Sequence, residues 1–402
     1  MTGRHRRDSD SQQWTVDLQG GIDSDGSLTY AGSHDRSREA GHGSLPLLNE
    51  DDGTLTLDEP MIKPLARCRL RPLLLVSVLA TLTLSGAAMT VTNLGCEQRI
   101  NPMGVDVVQP RLSWILQSSK RGDRQTAYRI LAASSRASLD RDTGDLWDSG
   151  RVASDETIQV PFAGKPLKSS QEVFWKVRVW DPSGTASPWS TTATWTMGVL
   201  NTNEWQAQWV SLGNADSGST FLRRNFPVRA RLTRALIYIS GLGQYELSFN
   251  GSRVGSDLLS PGWTKYDKTI LYDTFDVTAL LTAGTNAIGI VLGNGMYNVP
   301  TTSRYAKFTG TFGPRKVIAQ IRLEYGDTIT NIFTDLNWKA TTNGPITFDT
   351  VFGGEDYDAR LEPRGWNQAG FDDSAWERVT VANSSGGELR GLSCSAPPLR
   401  AF

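Results

Sequence analysis

The sequence predicts an all-β protein with two successive β-sandwich modules. Side chains alternate with period two in segments such as 173–180 and 245–249, which places every second residue on one face of a strand. The chain holds 39 glycines and 18 prolines, a composition that favours turn-rich β structure over helices. Its 402 residues exceed one ordinary domain, so we expect two or three.

The first 90 residues are predicted to precede the folded part. Residues 1–60 are rich in Ser, Gly, Asp, Arg and Thr without an apolar period, which predicts a disordered tail. Residues 61–90 have the order of a signal peptide, with basic residues, an apolar core at 73–84 and then small residues. That core is shorter than the about 20 residues that cross a bilayer.

Two explanations of the 61–90 segment both predict export. If Met61 is the true start, the segment is a cleaved signal peptide and the protein is secreted or extracellular. If the tail stays in the cytoplasm, the segment is a signal-anchor of a single-pass type II membrane protein. A buried core helix is the structural alternative.

The first module is predicted at residues 91–198. Every second residue from Val173 to Val179 belongs to one apolar face, and turn signals such as 148–150 and 181–184 separate the strands. About 100 residues with roughly seven short strands are typical of a fibronectin-III-like β-sandwich. Residues 199–209 then form the predicted linker to the second module.

The second module is predicted at residues 210–383 as a β-jelly-roll of the galactose-binding-like kind. Asn250-Gly251 indicates a hairpin turn, because both central residues of a type I′ turn have positive φ. Asp276-Val277-Thr278 is typical of a helix N-terminus. Residues 384–402 are predicted to be a truncated loop.

Composition excludes several kinds of chemistry. Lys plus Arg number 41 and Asp plus Glu 42, so no basic surface for nucleic acid is expected, and a membrane is expected only through segment 73–84. The three histidines all lie at or before residue 42, which excludes His-dependent nucleophiles and most zinc sites from the folded part. Cys96 and Cys394 are either isolated thiols or a pair.

Eleven stretches, in this order and spacing, resemble the N-terminal region of bacterial-type α-L-rhamnosidases, glycoside hydrolase family 78. In the first module they are Asn101–Asp106, Pro110–Trp114, Gln125–Arg129, Leu146–Gly150 and Phe174–Asp181. In the second module they are Ile239–Leu247, Asn250-Gly251, Leu259–Tyr266, Tyr272–Thr278, Leu292–Tyr297 and Gly354–Arg360. The resemblance covers roughly residues 91 to 383.

The resemblance implies an enzyme that hydrolyses terminal non-reducing α-L-rhamnose residues with inversion. It also implies that the acid and base carboxylates lie in a later α/α barrel, for which this sequence has no counterpart before Phe402. We therefore expect a fragment that binds or positions rhamnose-containing glycans or glycosides without catalysing. The alternative is a stand-alone or membrane-tethered carbohydrate-binding module without enzyme activity.

Asp356 and Asp358 are the one carboxylate pair that invites a catalytic interpretation. Two residues apart on a strand, they lie about 6.6 Å apart along the backbone, close to the about 6.5–9.5 Å of inverting glycosidases. Neighbours on one strand cannot flank a glycosidic bond, however, so we expect ion pairs or turn contacts, with Arg360 as the nearest partner. No catalytic residue is predicted.

The candidate carbohydrate-binding residues are aromatic and amide side chains in predicted loops: Asn250, Trp263, Tyr266, Asn294 and Tyr297. Aromatic faces and amides are the groups that hold sugars. Turn formation and core packing are the structural alternatives for the same residues. No cofactor is predicted. Loop aspartates leave calcium open, although they lack the spacing of an EF-hand.

Overall fold

The computed structural model describes residues 89–213, 218–304 and 310–391, together with the backbone of 399–400. The predicted tail, the apolar segment at 73–84 and Cys394 lie outside these residues. Within the described ranges, no helix is long and apolar enough to cross a membrane. The described chain consists almost entirely of strands and their connections, which confirms the predicted all-β class.

The first module is a sandwich of two sheets. Its strands are β1 (Thr90–Cys96), β2 (Met103–Val105), β3 (Arg111–Gln117), β4 (Ala127–Ala133), β5 (Trp147–Asp148), β6 (Val160–Pro161), β7 (Glu172–Trp180) and β8 (Ala193–Met197), with one short helix, α1 (Arg136–Asp140). The sheets have the orders β1-β3-β6 and β2-β8-β7-β4-β5. The alternating residues from Val173 to Val179 are fully buried around Trp114 and Trp195, as the period of two predicts.

The connection between the modules is packed along its length. A 3₁₀ turn occupies Thr202–Glu204. The Trp205 ring then lies edge-on to Tyr238 and Tyr272, with centroids 6.3 and 5.2 Å away. The backbone N–H of Val199 donates to the Tyr272 hydroxyl at 2.9 Å. The connection is therefore held against the second module by aromatic contacts and a hydrogen bond.

The second module has a six-stranded sheet, a seven-stranded sheet and short ribbons. Its strands are β9 (Val210–Ser211), β10 (Thr220–Val228), β11 (Arg234–Leu242), β12 (Gln244–Phe249), β13 (Ser252–Arg253), β14 (Asp257–Leu258), β15 (Thr269–Asp276), β16 (Gly284–Gly293), β17 (Asn298–Val299), β18 (Gly310–Thr311), β19 (Lys316–Tyr325), β20 (Thr328–Phe333), β21 (Lys339–Thr341), β22 (Ile346–Thr350), β23 (Gly354–Tyr357), β24 (Glu377–Arg378), β25 (Thr380–Val381), β26 (Glu388–Gly391) and β27 (Leu399–Arg400). Further 3₁₀ turns lie at Thr278–Leu280 and Ala359–Leu361.

The two large sheets enclose the core of the second module. Their strand orders are β13-β12-β16-β10-β21-β24 and β25-β9-β19-β11-β15-β26, with β20 also pairing with β19. Alternate residues of the long strands meet in one apolar cluster, in which Ile237, Ile290, Ile321 and Trp338 are almost fully buried. Packing of two antiparallel faces in this way is the expected core of a jelly-roll.

One local prediction in this module agrees with the structure and a second agrees in part. Asn250 and Gly251 connect β12 to β13 with φ of 50° and 87°, the positive values that a type I′ hairpin requires. A helical turn does begin at Thr278, but it is a single 3₁₀ turn whose N-cap position is Val277, without a side-chain cap. Asp276 precedes that position, and its Oδ1 accepts the backbone N–H of Thr278 at 2.9 Å.

The prediction of a loop at 384–402 is wrong for part of that segment. Glu388–Gly391 forms β26, which pairs in parallel with β15, and Leu399–Arg400 pairs with β14. The Gly391 N–H also donates to Asp106 Oδ2 of the first module at 2.9 Å. A four-residue edge strand with a single apolar side chain, Leu389, carries too little alternation to predict from sequence.

Candidate carbohydrate-binding site

Three of the predicted site residues lie together on the second module. Trp263 and Tyr266 lie in the loop before β15, and Tyr297 lies in the loop after β16. The Tyr266 ring contacts Tyr297 and Phe312, with centroids 5.1 and 5.5 Å away. We call Trp263, Tyr266, Tyr297 and Phe312 the aromatic shelf.

The aromatic shelf has an open upper layer and a buried base. Trp263 is 64% exposed and Phe312 is 61% exposed, whereas Tyr266 and Tyr297 are buried. Three of these rings line an open pocket of about 640 Å³ together with three neighbouring side chains. The lining residues are Trp263, Thr264, Lys265, Tyr266, Asp267 and Phe312. That volume lies within the range of small-molecule sites, about 300–1,000 Å³.

Backbone hydrogen bonds hold the loop that carries Trp263 and Tyr266. The Thr264 hydroxyl donates to the Thr269 carbonyl at 2.5 Å, and the N–H groups of Lys268 and Thr269 donate to the Lys265 carbonyl at 2.8 and 2.9 Å. The Tyr266 carbonyl accepts the Ser385 hydroxyl at 2.7 Å. Trp263 is therefore exposed on a fixed loop.

The base of the aromatic shelf is uncharged at neutral pH. Burial raises the pKa of Tyr266 to about 12, and burial also raises the pKa of Tyr297. The Tyr297 hydroxyl donates to the Phe312 carbonyl at 3.0 Å. Lys265 and Asp267 add an exposed pair of opposite charge at the rim, 3.9 Å apart. Apolar ring faces beside polar rim groups match the two kinds of surface on a sugar.

Asn294 does not present its amide to this surface. It is fully buried, and its Nδ2 donates to the Asp349 carbonyl at 2.8 Å while its Oδ1 accepts from Asn298 Nδ2 at 2.6 Å. Its backbone N–H donates to Asp349 Oδ1 at 2.6 Å. Asn294 therefore orders the loop that carries Tyr297.

Asn250 lies away from the aromatic shelf, at the other end of β12. Its Nδ2 donates to the Leu280 carbonyl and to Asn286 Oδ1, and its Oδ1 accepts the Ala287 N–H, at 2.7 to 2.9 Å. The six residues of β12 lie between Asn250 and the end of the strand where Gln244 pairs with Gly293, a distance of about 20 Å at 3.4 Å per residue. The structure thus brings together the three predicted aromatic residues but neither predicted asparagine.

Phe312 is the shelf residue that sequence reasoning missed. It follows β18 and precedes Gly313, so an exposed aromatic ring lies beside a glycine with φ of 126°. An aromatic residue within a glycine-rich turn does not belong to the apolar face of a strand, so core packing is not its expected role. That position in the sequence is the signal that could have identified Phe312.

The carboxylates of the Gly354–Arg360 stretch form ion pairs. Asp356 pairs with Arg304 at 2.6 Å, and Asp358 pairs with Arg360 at 2.6 Å while accepting the Arg360 N–H at 3.0 Å. The Arg360 side chain holds the pKa of Asp358 below its usual range. These contacts agree with the ion-pair interpretation of the motif.

Asp273 has the most strongly raised carboxyl pKa that the structure describes. Burial raises its pKa to about 6, and the Tyr245 hydroxyl donates to Oδ2. Asp273 is only 2% exposed, so its carboxyl is closed to solvent and to a sugar. The nearest small cavity, lined by its partner Tyr245 together with Asp257 and Phe275, measures about 10 Å³, room for about one water molecule.

Loop aspartates considered for calcium serve other contacts. Asp276 accepts from the backbone N–H of Thr278, Asp273 accepts from Tyr245, and Asp267 pairs with Lys265. In the described part of the chain, no three His, Cys, Asp or Glu side chains converge as metal ligands. The structure therefore offers no assembled acidic site for the ion.

Two family models match the two modules. Residues 91–201 match the model described as the Rha78A-like N-terminal immunoglobulin domain, and residues 230–401 match the α-L-rhamnosidase N-terminal domain. Together these matches cover more than half of the chain. The fold and the matches define a pair of β-sandwich domains of the kind found in the N-terminal part of α-L-rhamnosidases. The chain belongs to the α-L-rhamnosidase family through these N-terminal domains.

Relatives of this chain are substantially longer. An α-L-rhamnosidase of Formosa agariphila is 34% identical over 330 residues, which are 74% of this chain and 34% of that protein. The solved α-L-rhamnosidase of Dictyoglumus thermophilum has a TM-score of 0.68 and 37% identity, covering 76% of this chain and 35% of that one. The Streptomyces avermitilis enzyme, solved with L-rhamnose, has a TM-score of 0.67 and 26% identity, covering 75% and 45%. The chain thus spans about a third of the length of three of the curated relatives that it matches.

Proposed function

We propose that this chain serves as the non-catalytic N-terminal part of an α-L-rhamnosidase and that its aromatic shelf binds rhamnose-containing glycans. The observation that carries the proposal is the group of rings that lines one pocket, in which Trp263 and Phe312 are exposed and Tyr266 is buried. Exposed apolar side chains that lie together, rather than singly, often mark a ligand-binding site or an interface. The names of the relatives supply the sugar class.

L-rhamnose suits the chemistry of the aromatic shelf. It is a 6-deoxy sugar, so its methyl group and ring C–H bonds give it an apolar face that can stack on Trp263 or Phe312. Its hydroxyl groups can reach the ammonium of Lys265 and the carboxylate of Asp267 at the rim. The rings supply contact area, and the rim charges orient the hydroxyls.

The same proposal assigns no hydrolysis to these two modules. Inverting hydrolysis needs one carboxyl to donate a proton and another to activate water across the bond. Asp356 and Asp358 form ion pairs with Arg304 and Arg360, and Asp273 is buried with its carboxyl accepting from Tyr245. None of these groups can flank a glycosidic bond.

We also propose that the chain is exported through its 61–90 segment, as a secreted protein or a type II membrane protein. The support is the order of basic, apolar and small residues in that segment. Export places the aromatic shelf where extracellular plant or microbial glycans would meet it.

Calorimetric titration tests binding by the aromatic shelf. We expect the purified chain to bind methyl α-L-rhamnoside with a millimolar Kd, and Trp263→Ala to weaken binding by at least fivefold, about 1 kcal/mol, because a stacking face is lost. Tyr357→Ala is the matched control, since Tyr357 is 54% exposed on β23 outside the shelf. Equal binding by Trp263→Ala and wild type would contradict the proposal.

A further inference from the structure

The 402-residue sequence contains two acceptor triplets for N-linked glycosylation. They are Asn250-Gly251-Ser252 and Asn383-Ser384-Ser385, each with a residue other than proline in the middle. The attached glycan is bulky and hydrophilic, so it is tolerated only where the folded chain leaves the asparagine exposed. The structure distinguishes the two triplets on this criterion.

The fold of the hairpin excludes a glycan on Asn250. Both N–H bonds of its Nδ2 are used, one to the Leu280 carbonyl at 2.8 Å and one to Asn286 Oδ1 at 2.7 Å. A glycosylated asparagine keeps only one N–H, so one of these bonds must be lost. The sugar would also have to enter beside Asn286, which is fully buried.

Asn383 has the opposite surroundings. It is exposed in the connection between β25 and β26, and its side-chain amide makes no hydrogen bond to any described residue. Only its backbone carbonyl is engaged, accepting from Lys316 Nζ at 3.0 Å. A sugar on Nδ2 therefore displaces no contact of the fold.

The segment after Asn383 is held in place without using the asparagine side chain. The Ser385 hydroxyl donates to the Tyr266 carbonyl at 2.7 Å. A Cβ at Gly387 would come within 2.3 Å of the same carbonyl, so the backbone lies close against the loop of the aromatic shelf. A glycan on Asn383 would consequently border that loop.

We propose that Asn383 is the N-glycosylation site of the exported chain and that Asn250 is not glycosylated in the folded protein. The proposal rests on the export proposed above. The donor is an oligosaccharide linked through its anomeric carbon to a polyprenyl diphosphate. A bond forms between Asn383 Nδ2 and that carbon, the carbon–oxygen bond to the diphosphate breaks, the amide loses one proton, and polyprenyl diphosphate leaves.

The test is expression of the full chain in a yeast secretory host, once with its own N-terminus and once behind an added secretion signal. We expect peptide-N-glycosidase to remove one glycan from the secreted protein and to convert Asn383 to aspartate in the peptide map. Asn383→Gln and Ser385→Ala should abolish the mass shift, and Ser385→Thr should retain it. Asn250→Gln should leave the shift unchanged.

Two results would overturn the assignment. One is secreted, folded protein without a glycan on Asn383. The other is folded protein that carries a glycan on Asn250. Secretion only with the added signal would contradict export by segment 61–90 and would still test Asn383, so the two proposals can fail separately.

Discussion

Asp273 shows how a single carboxyl group can make the stability of the second module depend on pH. It is almost fully buried on β15, and burial raises its pKa from 3.8 to about 6, with a further increase from Asp257. The hydroxyl of Tyr245, which donates to Oδ2, acts in the opposite direction but does not offset the burial. The folded state therefore holds this proton more tightly than the unfolded state does.

Asp273→Asn should remove this dependence while keeping an oxygen acceptor for Tyr245. Because the folded pKa is raised, the stability of wild type relative to the variant is greatest below pH 4 and falls as pH rises from 4 to 6. The change over that window is about 3 kcal/mol for a shift of roughly two units. Urea unfolding of both proteins from pH 4 to 7 measures it.

Asp181 is the matched comparison for Asp273, and its effect on the pH dependence of stability should have the opposite sign. The pKa of the exposed Asp181 is lowered, chiefly by the Ser183 hydroxyl that donates to it. Relative to Asp181→Asn, wild type should therefore lose stability as pH falls below about 4. A stability difference for Asp273→Asn that stays constant with pH would contradict the interpretation of Asp273.

Residue types alone could predict the aromatic part of the candidate site but not the role of the asparagines. Trp263, Tyr266 and Tyr297 occur in segments without strand alternation, so loop positions were foreseeable. Asn294-Gly295 looks the same in sequence whether its amide faces solvent or the interior. Its partner is Asp349, 55 residues later, and only the fold brings the two together.

Among the elements of the second module, the long strands were predictable and the segment at 363–376 was not. That segment has no strand or helix of its own. Arg223 of β10 holds this segment by hydrogen bonds. Its fully buried guanidinium donates to the carbonyls of Trp366 and Gln368 at 2.7 and 2.9 Å. Arg223 also forms an ion pair with Asp373. An arginine in a strand gives no sign in sequence of which distant carbonyls it will bind.

Arg223→Met should destabilise the second module by about 3 kcal/mol, because it leaves the carbonyls of Trp366 and Gln368 and the carboxylate of Asp373 without this donor. Chemical unfolding measures the loss. Arg253→Met is the matched control, because the Arg253–Glu246 pair on the surface spans 3.2 Å with both side chains about half exposed. The control should lose less than about 1 kcal/mol. Equal losses in the two variants would show that Arg223 does not hold the segment.

At the scale of the whole molecule, hydrogen bonds and close backbone contacts join the two modules. Arg234 of β11 donates to the Ser170 carbonyl and the Thr196 hydroxyl at 2.9 and 3.0 Å, and the Tyr238 hydroxyl donates to Ser170 Oγ at 2.7 Å. The sequence predicted only a linker between the modules. Contacts between two modules do not change the alternation of apolar residues along the strands of either module, so they cannot be predicted from that alternation. We therefore expect the two modules, in the part of the chain that the structure describes, to unfold together in a single transition.

Gly198→Ala tests this coupling. A Cβ at Gly198 would come within 2.3 Å of the Tyr272 hydroxyl and 2.9 Å of the Gly104 carbonyl, so the junction must open. We expect a loss of about 1–3 kcal/mol from overpacking and the separation of one calorimetric transition into two. Gly370→Ala is the control, since no atom lies within 4 Å of the added Cβ. Two separate transitions in wild type would contradict coupling, and a single transition at the wild-type temperature in Gly198→Ala would show that coupling does not depend on this junction.

Saturation-transfer NMR with methyl α-L-rhamnoside tests the central claim, sugar binding by the aromatic shelf without hydrolysis, most directly. Irradiating the aromatic protons of the protein should transfer saturation to the C6 methyl and ring protons of the sugar. The transfer should fall sharply in Trp263→Ala and Phe312→Ala, and no free L-rhamnose should accumulate. Undiminished transfer in both variants, or release of L-rhamnose by the purified chain, would contradict the claim.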